Sequence, residues 1–292
     1  MPSPSGLAYK AYEIEELVDI YFYRRLGYVV AIGARLARLS PNAVSVLAGV
    51  IGTTGGGLIA WPHLAWIGVG LLVVYGIVDS ADGQLARMTG QTSELGRVLD
   101  GVSGYVTHIA IYVAIVTVIY RTTGRWSLVG LAFVSGAFTA IHAQLYDYHR
   151  TAYAAFVVQG RVPRELVSTT ATGGLARVAA AYTAVQRRLL GLHASVEALL
   201  AGRAVDGRIT DADRQRYRDF FYGPVCGWNL MGDNVRRYAV AACVLLGHLE
   251  WFILFTLGPM NLALAVLWAV QRRADRAFLA AFGPGSCRIP PG

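Results

Sequence analysis

Residues 79–104 of the chain read DSADGQLARMTGQTSELGRVLDGVSG. Asp79 and Asp82 are three residues apart, so on a helix both carboxylates lie on the same side. After a short polar break, Asp100 lies on one stripe of a second helix, together with the glycines four residues before and after it. Both segments border long apolar runs. The stretch therefore predicts two apolar helices joined by a polar turn, with three carboxylates at their adjoining ends.

Three carboxylates beside apolar helices are costly to desolvate unless they share a cation. Mg²⁺ takes oxygen ligands and is typically held by a few carboxylates plus substrate phosphates. The alternative is that the acids form ion pairs at the helix ends, with Arg87 and Arg97 as partners. Because three acids are in register with glycines, the sequence favours a divalent-metal site made by Asp79, Asp82 and Asp100.

Composition places the chain among membrane proteins. Of its 292 residues, 55% are hydrophobic and 15% charged, and the mean hydropathy is +0.45. Several apolar runs approach the roughly 20 residues that span a bilayer. The formal charge is +8, and Lys10 is the one lysine among 26 basic residues. These basic residues flank apolar runs and do not form a basic domain, so nucleic-acid binding is not expected.

The predicted fold is an all-α, polytopic six-span bundle in four parts. An interfacial amphipathic segment covers 1–41, spans one to four with the acids cover 42–147, a cytoplasmic helical insertion covers 148–232, and spans five and six with a loose tail cover 233–292. The spans are predicted at 43–60, 64–87, 95–120, 127–147, 238–257 and 259–271, the last two divided at Gly258-Pro259. Helices are predicted to begin at Ser40-Pro41 and at the capping box of Thr210 and Asp213.

The arginines predict the orientation of the bundle. With the N-terminus inside, only Arg121 and Arg125 of the 26 basic residues fall outside, as the positive-inside rule requires. This topology places the three acids at the cytoplasmic face of a bacterial-type inner membrane.

One signature carries a family resemblance. The pattern Asp79-x2-Asp82-Gly83-x2-Ala86-Arg87-x8-Gly96-x3-Asp100 resembles that of the CDP-alcohol phosphotransferases. These integral-membrane enzymes build phospholipids by moving a substituted phosphate from a CDP-alcohol to a second alcohol, with release of CMP. The resemblance implies dependence on Mg²⁺ or Mn²⁺, a CDP-alcohol donor, an alcohol acceptor, contact with membrane lipids and a homodimer.

The resemblance also implies roles for single residues. The three aspartates would be metal ligands, and Gly83, Ala86 and Gly96 would give the cytidine and its phosphates room against the helix backbone. Arg87 would hold a carboxylate or contact phosphate. Asn42 matches a Pro-Asn pair near the nucleotide site of the family, although a plain helix start explains it equally well.

The chain departs from the family at Gly104, where the family has a fourth Asp that is a metal ligand and the base. His108, one turn beyond, is the nearest replacement that the sequence offers, and Asp147, His149 and His142, at the cytoplasmic end of span four, are the others. The alternative is a catalytically degenerate protein that binds a CDP-alcohol or lipid.

The sequence leaves two kinds of substrate pair open. In the first, the donor is CDP-diacylglycerol and the acceptor is a small polar alcohol. In the second, a CDP-linked headgroup is transferred to a lipid hydroxyl.

Overall fold

The structure, a computed structural model, describes residues 12–163 and 190–282. Within these ranges the elements are all helical and none is a strand, which confirms the predicted all-α class. Residues 1–11 of the N-terminal segment, 164–189 of the insertion and the predicted loose tail at 283–292 lie outside the described residues.

The chain forms two compact units, each described by itself here. Unit 1 ends at Ala140 and resumes at 233–260; unit 2 contains 141–232 and the residues from Asn261 onward. The helices of unit 1 are α1 (Arg24–Leu36), α2 (Pro41–Leu58), α3 (Ala65–Thr89), α4 (Glu94–Thr123), the first half of α5 (Trp126–Tyr153), α8 (Asp233–Leu245) and α9 (Trp251–Phe255). Unit 2 contains the second half of α5, α6 (His193–Arg203), α7 (Asp211–Trp228) and α10 (Asn261–Phe282).

Local chemistry sets several helix ends. The Ser40 hydroxyl caps α2 by accepting a hydrogen bond from the Ala43 amide at 3.2 Å, with Pro41 in the first turn. Ser93 caps α4 in the same way. Gly90 follows α3 with a φ of 69°, a left-handed conformation that favours glycine. At α7, the Asp213 amide donates to Thr210 at 3.1 Å, as the predicted capping box requires.

Four helical segments are long and apolar enough to cross a membrane: Ala65–Thr89, Val98–Thr123, Trp126–Val158 and Trp251–Phe282. They correspond to predicted spans two, three and four and to a last segment. The predicted break at Gly258-Pro259 is wrong. A π-helical turn, Thr256–Met260, contains Pro259 and joins α9 to α10, because the surrounding wider helical turn accommodates the missing N–H. The six-span count stays a prediction.

Helices α2, α3 and α4 pack closely through glycines. A Cβ on Gly55 of α2 would lie 2.9 Å from the Gly68 carbonyl oxygen of α3, and a Cβ on Gly68 would lie 2.7 Å from the Gly55 carbonyl oxygen. On α2, Gly56 likewise faces the Ile111 backbone of α4. Such small residues let membrane helices approach to backbone contact, and these contacts pack α3 and α4 each against α2.

The N-terminal segment packs against α3. It comprises a 3₁₀ turn, Tyr12–Ile14, a π-helical turn, Asp19–Tyr23, and α1. Ala31 and Ala34 of α1 are buried in a cluster with Val78 of α3, and the Gln84 side chain donates to the Arg24 carbonyl at 3.0 Å. The interfacial position predicted for this segment stays a prediction.

Unit 2 is built around a buried polar chain. The imidazole of His193 donates from Nδ1 to Asp275 Oδ1 at 2.7 Å and accepts from the Tyr217 hydroxyl at 3.0 Å. Burial, together with nearby carboxylates, raises the pKa of Tyr217 well above its usual range, so the phenol is a neutral donor. Gln271 also donates to Asp275, at 3.1 Å, and accepts from Trp228. These bonds join α6, α7 and α10 in one core.

Candidate functional site

Asp79 and Asp82 lie one turn apart near the end of α3, as the sequence predicts. The Asp82 carboxylate is buried and accepts a hydrogen bond from the Ser45 hydroxyl of α2, which fixes its orientation. Asp79 is half-buried, and none of the hydrogen bonds or ion pairs among the described residues involves its carboxylate. Asp79 therefore keeps both oxygens for a ligand.

Asp100 is exposed near the start of α4. Its charge is within electrostatic range of Asp79 and Asp82, so the fold brings all three predicted acids to adjoining parts of α3 and α4. In residues 12–163 and 190–282, no three His, Cys, Asp or Glu side chains gather closely enough to hold a metal ion. A metal at these acids stays a prediction.

The predicted nucleotide-binding residues form two contacts. Asn42, at the start of α2, places its Oδ1 3.0 Å from where a Cβ on Gly96 would lie, so α4 passes directly over the Asn42 amide. The Arg87 guanidinium folds back along α3 to 3.3 Å from the Cβ position of Gly83. Ala86 is half-buried on the same helix. Their nucleotide-binding roles stay predictions.

The His108 ring is held on both sides. Its Nδ1 donates to the Gly104 carbonyl oxygen at 2.9 Å, and its Nε2 faces Asp233 Oδ1 at 3.0 Å. The predicted base role of His108 stays a prediction, and this conformation engages both of its nitrogens.

Asp233, at the start of α8, is a member of the site that the sequence reasoning missed. It pairs with His108 at 3.0 Å, Arg236 at 3.2 Å and Arg237 at 3.7 Å, and Asp79 lies within range of its charge. Desolvation raises the pKa of Asp233, but the contact with His108 and the guanidinium groups of Arg237 and Arg236 outweigh that effect and hold the pKa well below its usual range. The adjacent Arg236-Arg237 pair was the one sequence signal for this cluster.

Arg237 crosses α3 one turn before Asp79. Its guanidinium occupies the space of a Gly76 side chain, where an added Cβ would collide with Nη1. The rings of Tyr23 and Tyr75 lie 4.8 and 5.9 Å from it, which is cation–π distance. The glycine at position 76 is therefore what admits the guanidinium beside the acids.

Asp147, the other predicted catalytic residue, belongs to unit 2. It is exposed at the surface of α5, where Thr151 donates to its Oδ1 at 3.5 Å. Its catalytic role stays a prediction.

Comparison with known proteins agrees with the signature. The family model for the CDP-alcohol phosphatidyltransferases matches residues 38–199, which include α2 to α5, the first part of α6 and all three acids. A search of curated proteins finds no match. Asp233 and Arg237 lie beyond the matched residues.

Proposed function

Because the chain belongs to the CDP-alcohol phosphatidyltransferase family, we propose that it transfers a substituted phosphate from a CDP-alcohol to an acceptor alcohol and releases CMP. The family implies a transferase with a CDP-alcohol donor and an alcohol acceptor, and the four apolar helices fit an integral membrane protein. The observation that supports this proposal most is that Asp79 and Asp82 of α3 lie within range of the charge of Asp100 of α4, all inside the residues that the family model matches.

The proposed site includes a divalent cation, Mg²⁺ or Mn²⁺. The donor set suits the ion by its chemistry, since all three side chains offer the carboxylate oxygens that hard cations prefer, and Asp79 has no hydrogen bond or ion pair among the described residues. The three carboxylates do not converge without the ion, so they would draw together around it. Asp79, Asp82 and Asp100 would hold the ion. When bound, it would neutralise charge on the donor pyrophosphate.

The chain's own residues would position the nucleotide. The Asn42 amide beside Gly96 suits hydrogen bonding to a cytidine ring, and the exposed Arg87 guanidinium above Gly83 suits a phosphate. Ser45 holds Asp82 in one orientation, so that acid needs no reorganisation when a ligand arrives. The acceptor is either a small polar alcohol or a lipid hydroxyl.

The proposed setting is a bacterial-type inner membrane, with the acids at the cytoplasmic face and two copies of the chain in a dimer. Beyond the four long apolar segments, α2 would be a further span of the proposed six-span bundle. The near absence of basic residues from the predicted outer loops supports this orientation.

A second candidate is a CDP-alcohol or lipid binder without catalysis. It is favoured by Gly104, which has no side chain where the resembling family carries an acid, and by the engagement of both His108 nitrogens. One assay separates the two functions. The purified protein is incubated with labelled CDP-alcohols and Mn²⁺, and CMP is measured with and without a chelator.

Metal-dependent CMP release supports the enzyme, and nucleotide binding without release supports the binder. Asp100→Asn is expected to abolish metal-dependent binding, with exposed Asp211→Asn in unit 2 as the matched control. Unchanged binding in Asp100→Asn would refute the ligand assignment.

A further inference from the structure

The guanidinium of Arg237 lies between two possible acidic partners. On one side, its Nε is 3.7 Å from Asp233 Oδ2. On the other, Asp79 is within electrostatic range and has no hydrogen bond or ion pair among the described residues. Nε and Nη1 of Arg237 are buried and donate no hydrogen bond within the described chain. Two donor nitrogens of Arg237 therefore remain available, so its hydrogen bonds do not restrict it to one acidic partner.

The helix geometry places Asp79 a small distance from the Arg237 guanidinium. Arg237 Nη1 occupies the side-chain position of Gly76, and Asp79 is three residues further along α3. Side chains with that spacing are neighbours, with Cβ atoms about 5–6 Å apart. A rotamer change of Asp79 is therefore enough to bring its carboxylate to the guanidinium.

Several contacts keep Arg237 where it is. Its Nη2 donates to Asn234 Oδ1 at 2.7 Å. The Asn234 amide in turn donates to Glu16 and Asp19 of the N-terminal segment, at 2.8 and 2.9 Å. Among the described residues, Asp233 is the carboxylate that forms an ion pair with Arg237.

We propose that Asp233 is a positioning residue that pairs with Arg237 in place of Asp79 and so keeps the Asp79 carboxylate available to a cation. His108 helps to position Asp233, because its ring contacts both the Asp233 carboxylate of α8 and the Gly104 carbonyl oxygen of α4. Only the identity of the cation rests on the proposed function. The competition between Asp233 and Asp79 to pair with Arg237 does not rest on that function.

The test measures Mn²⁺ binding to the purified full-length protein by titration calorimetry. Asp233→Asn leaves Arg237 without its charge partner, so Arg237 pairs with Asp79 and Mn²⁺ affinity falls about tenfold, the scale of one charge-assisted hydrogen bond. Adding Arg237→Gln to Asp233→Asn removes the competitor and restores the affinity. Additive loss in the double variant, or no loss in Asp233→Asn, would overturn the proposal.

A matched control uses a second histidine–carboxylate pair of unit 1, which is more exposed than the pair of His108 and Asp233. His248 and Glu250 are 2.9 Å apart and follow the far end of α8, a helix of 13 residues and about 20 Å in length. Glu250→Gln is expected to leave Mn²⁺ affinity unchanged. A loss as large as that of Asp233→Asn would show a general effect of charge and count against the proposal.

Two measurements keep the proposal decidable if Asp233→Asn does not fold or if the wild type binds no Mn²⁺. Arg237→Gln alone is expected to keep or raise the Mn²⁺ affinity, and a clear loss contradicts the proposal.

The second measurement needs no metal. Double-mutant cycles on thermal unfolding give the coupling energy between Asp79 and Arg237 from the variants Asp79→Asn and Arg237→Gln. Asp233→Ala is expected to increase their coupling, and unchanged coupling refutes the proposal. Absence of Mn²⁺ binding in the wild type counts against the proposed function alone.

Discussion

Gly52→Ala is expected to separate the helices that carry the acids. Gly52 lies on α2, and an added Cβ would collide with the Thr107 hydroxyl of α4 and lie 2.9 Å from the Tyr75 ring of α3. Thr107 precedes His108, and Tyr75 is one turn before Asp79. The added methyl group therefore acts on both helices of the site at once.

The size of the effect follows from two opposing contributions. Overpacking of a tight contact costs about 1–3 kcal/mol, and replacing a helical glycine by alanine returns about 0.5–1 kcal/mol. The expected net destabilisation is about 0–2.5 kcal/mol. Activity is more sensitive, because a misplacement of about 1 Å can cost on the order of 100-fold, and Gly52→Ala is expected to lose at least about tenfold in CMP release.

The assay compares Gly52→Ala with Gly57→Ala on the same helix, whose Cβ would have no atom within 4 Å. Thermal unfolding in detergent gives stability, and CMP release gives activity. Gly57→Ala is expected to match the wild type or exceed it in stability. If both variants behave alike, the packing of α2 against Thr107 and Tyr75 does not set the site, and the reasoning fails.

Three further predictions concern single contacts. Ser45→Ala removes the hydrogen bond to buried Asp82, so a loss of about 1–3 kcal/mol is expected in unfolding free energy, with weaker Mn²⁺ binding by calorimetry. Asp275→Asn breaks the buried pair with His193 at 2.7 Å, and thermal unfolding is expected to show about 3–5 kcal/mol of destabilisation. Gly104→Asp is expected to fold normally by thermal unfolding, because an added Cβ would meet only the Tyr75 hydroxyl, at 3.6 Å.

Each of these has a control and a contrary outcome. Asp211→Asn removes an exposed ion pair of unit 2 and is expected to change stability little; an equal loss would contradict the importance of burial at Asp275. Gly101→Ala, where an added Cβ would have open space, is the control for Gly104→Asp. A Ser45→Ala protein that keeps both wild-type stability and wild-type Mn²⁺ affinity would show that Asp82 needs no partner.

The effect of Gly104→Asp on CMP release also bears on the history of the site. A rise would indicate a protein that has lost an acid it can still use. A fall would indicate that the site is arranged around glycine and the His108–Asp233 pair.

Much of the fold was predictable because its signals are local. Apolar runs of helical length gave α3, α4 and α5, and Ser40 and Thr210 gave helix starts, since a cap depends on residues three positions apart. The spacing of Asp79, Asp82 and Asp100 predicted their adjoining positions for the same reason. The prediction of a helix break at Gly258-Pro259 was wrong because proline ends a regular α-helix, whereas a π-helical turn accommodates it.

The sequence by itself determined the helical class, the family signature and the three acids, because these depend on periodicity and short spacings. Only the tertiary structure decided that Asp233 pairs with His108 across 125 positions and that Arg237 fills the space above Gly76. It also joined His193 to Asp275 in unit 2. Side chains far apart in sequence meet where helices pack, and no local pattern encodes which residues face each other there.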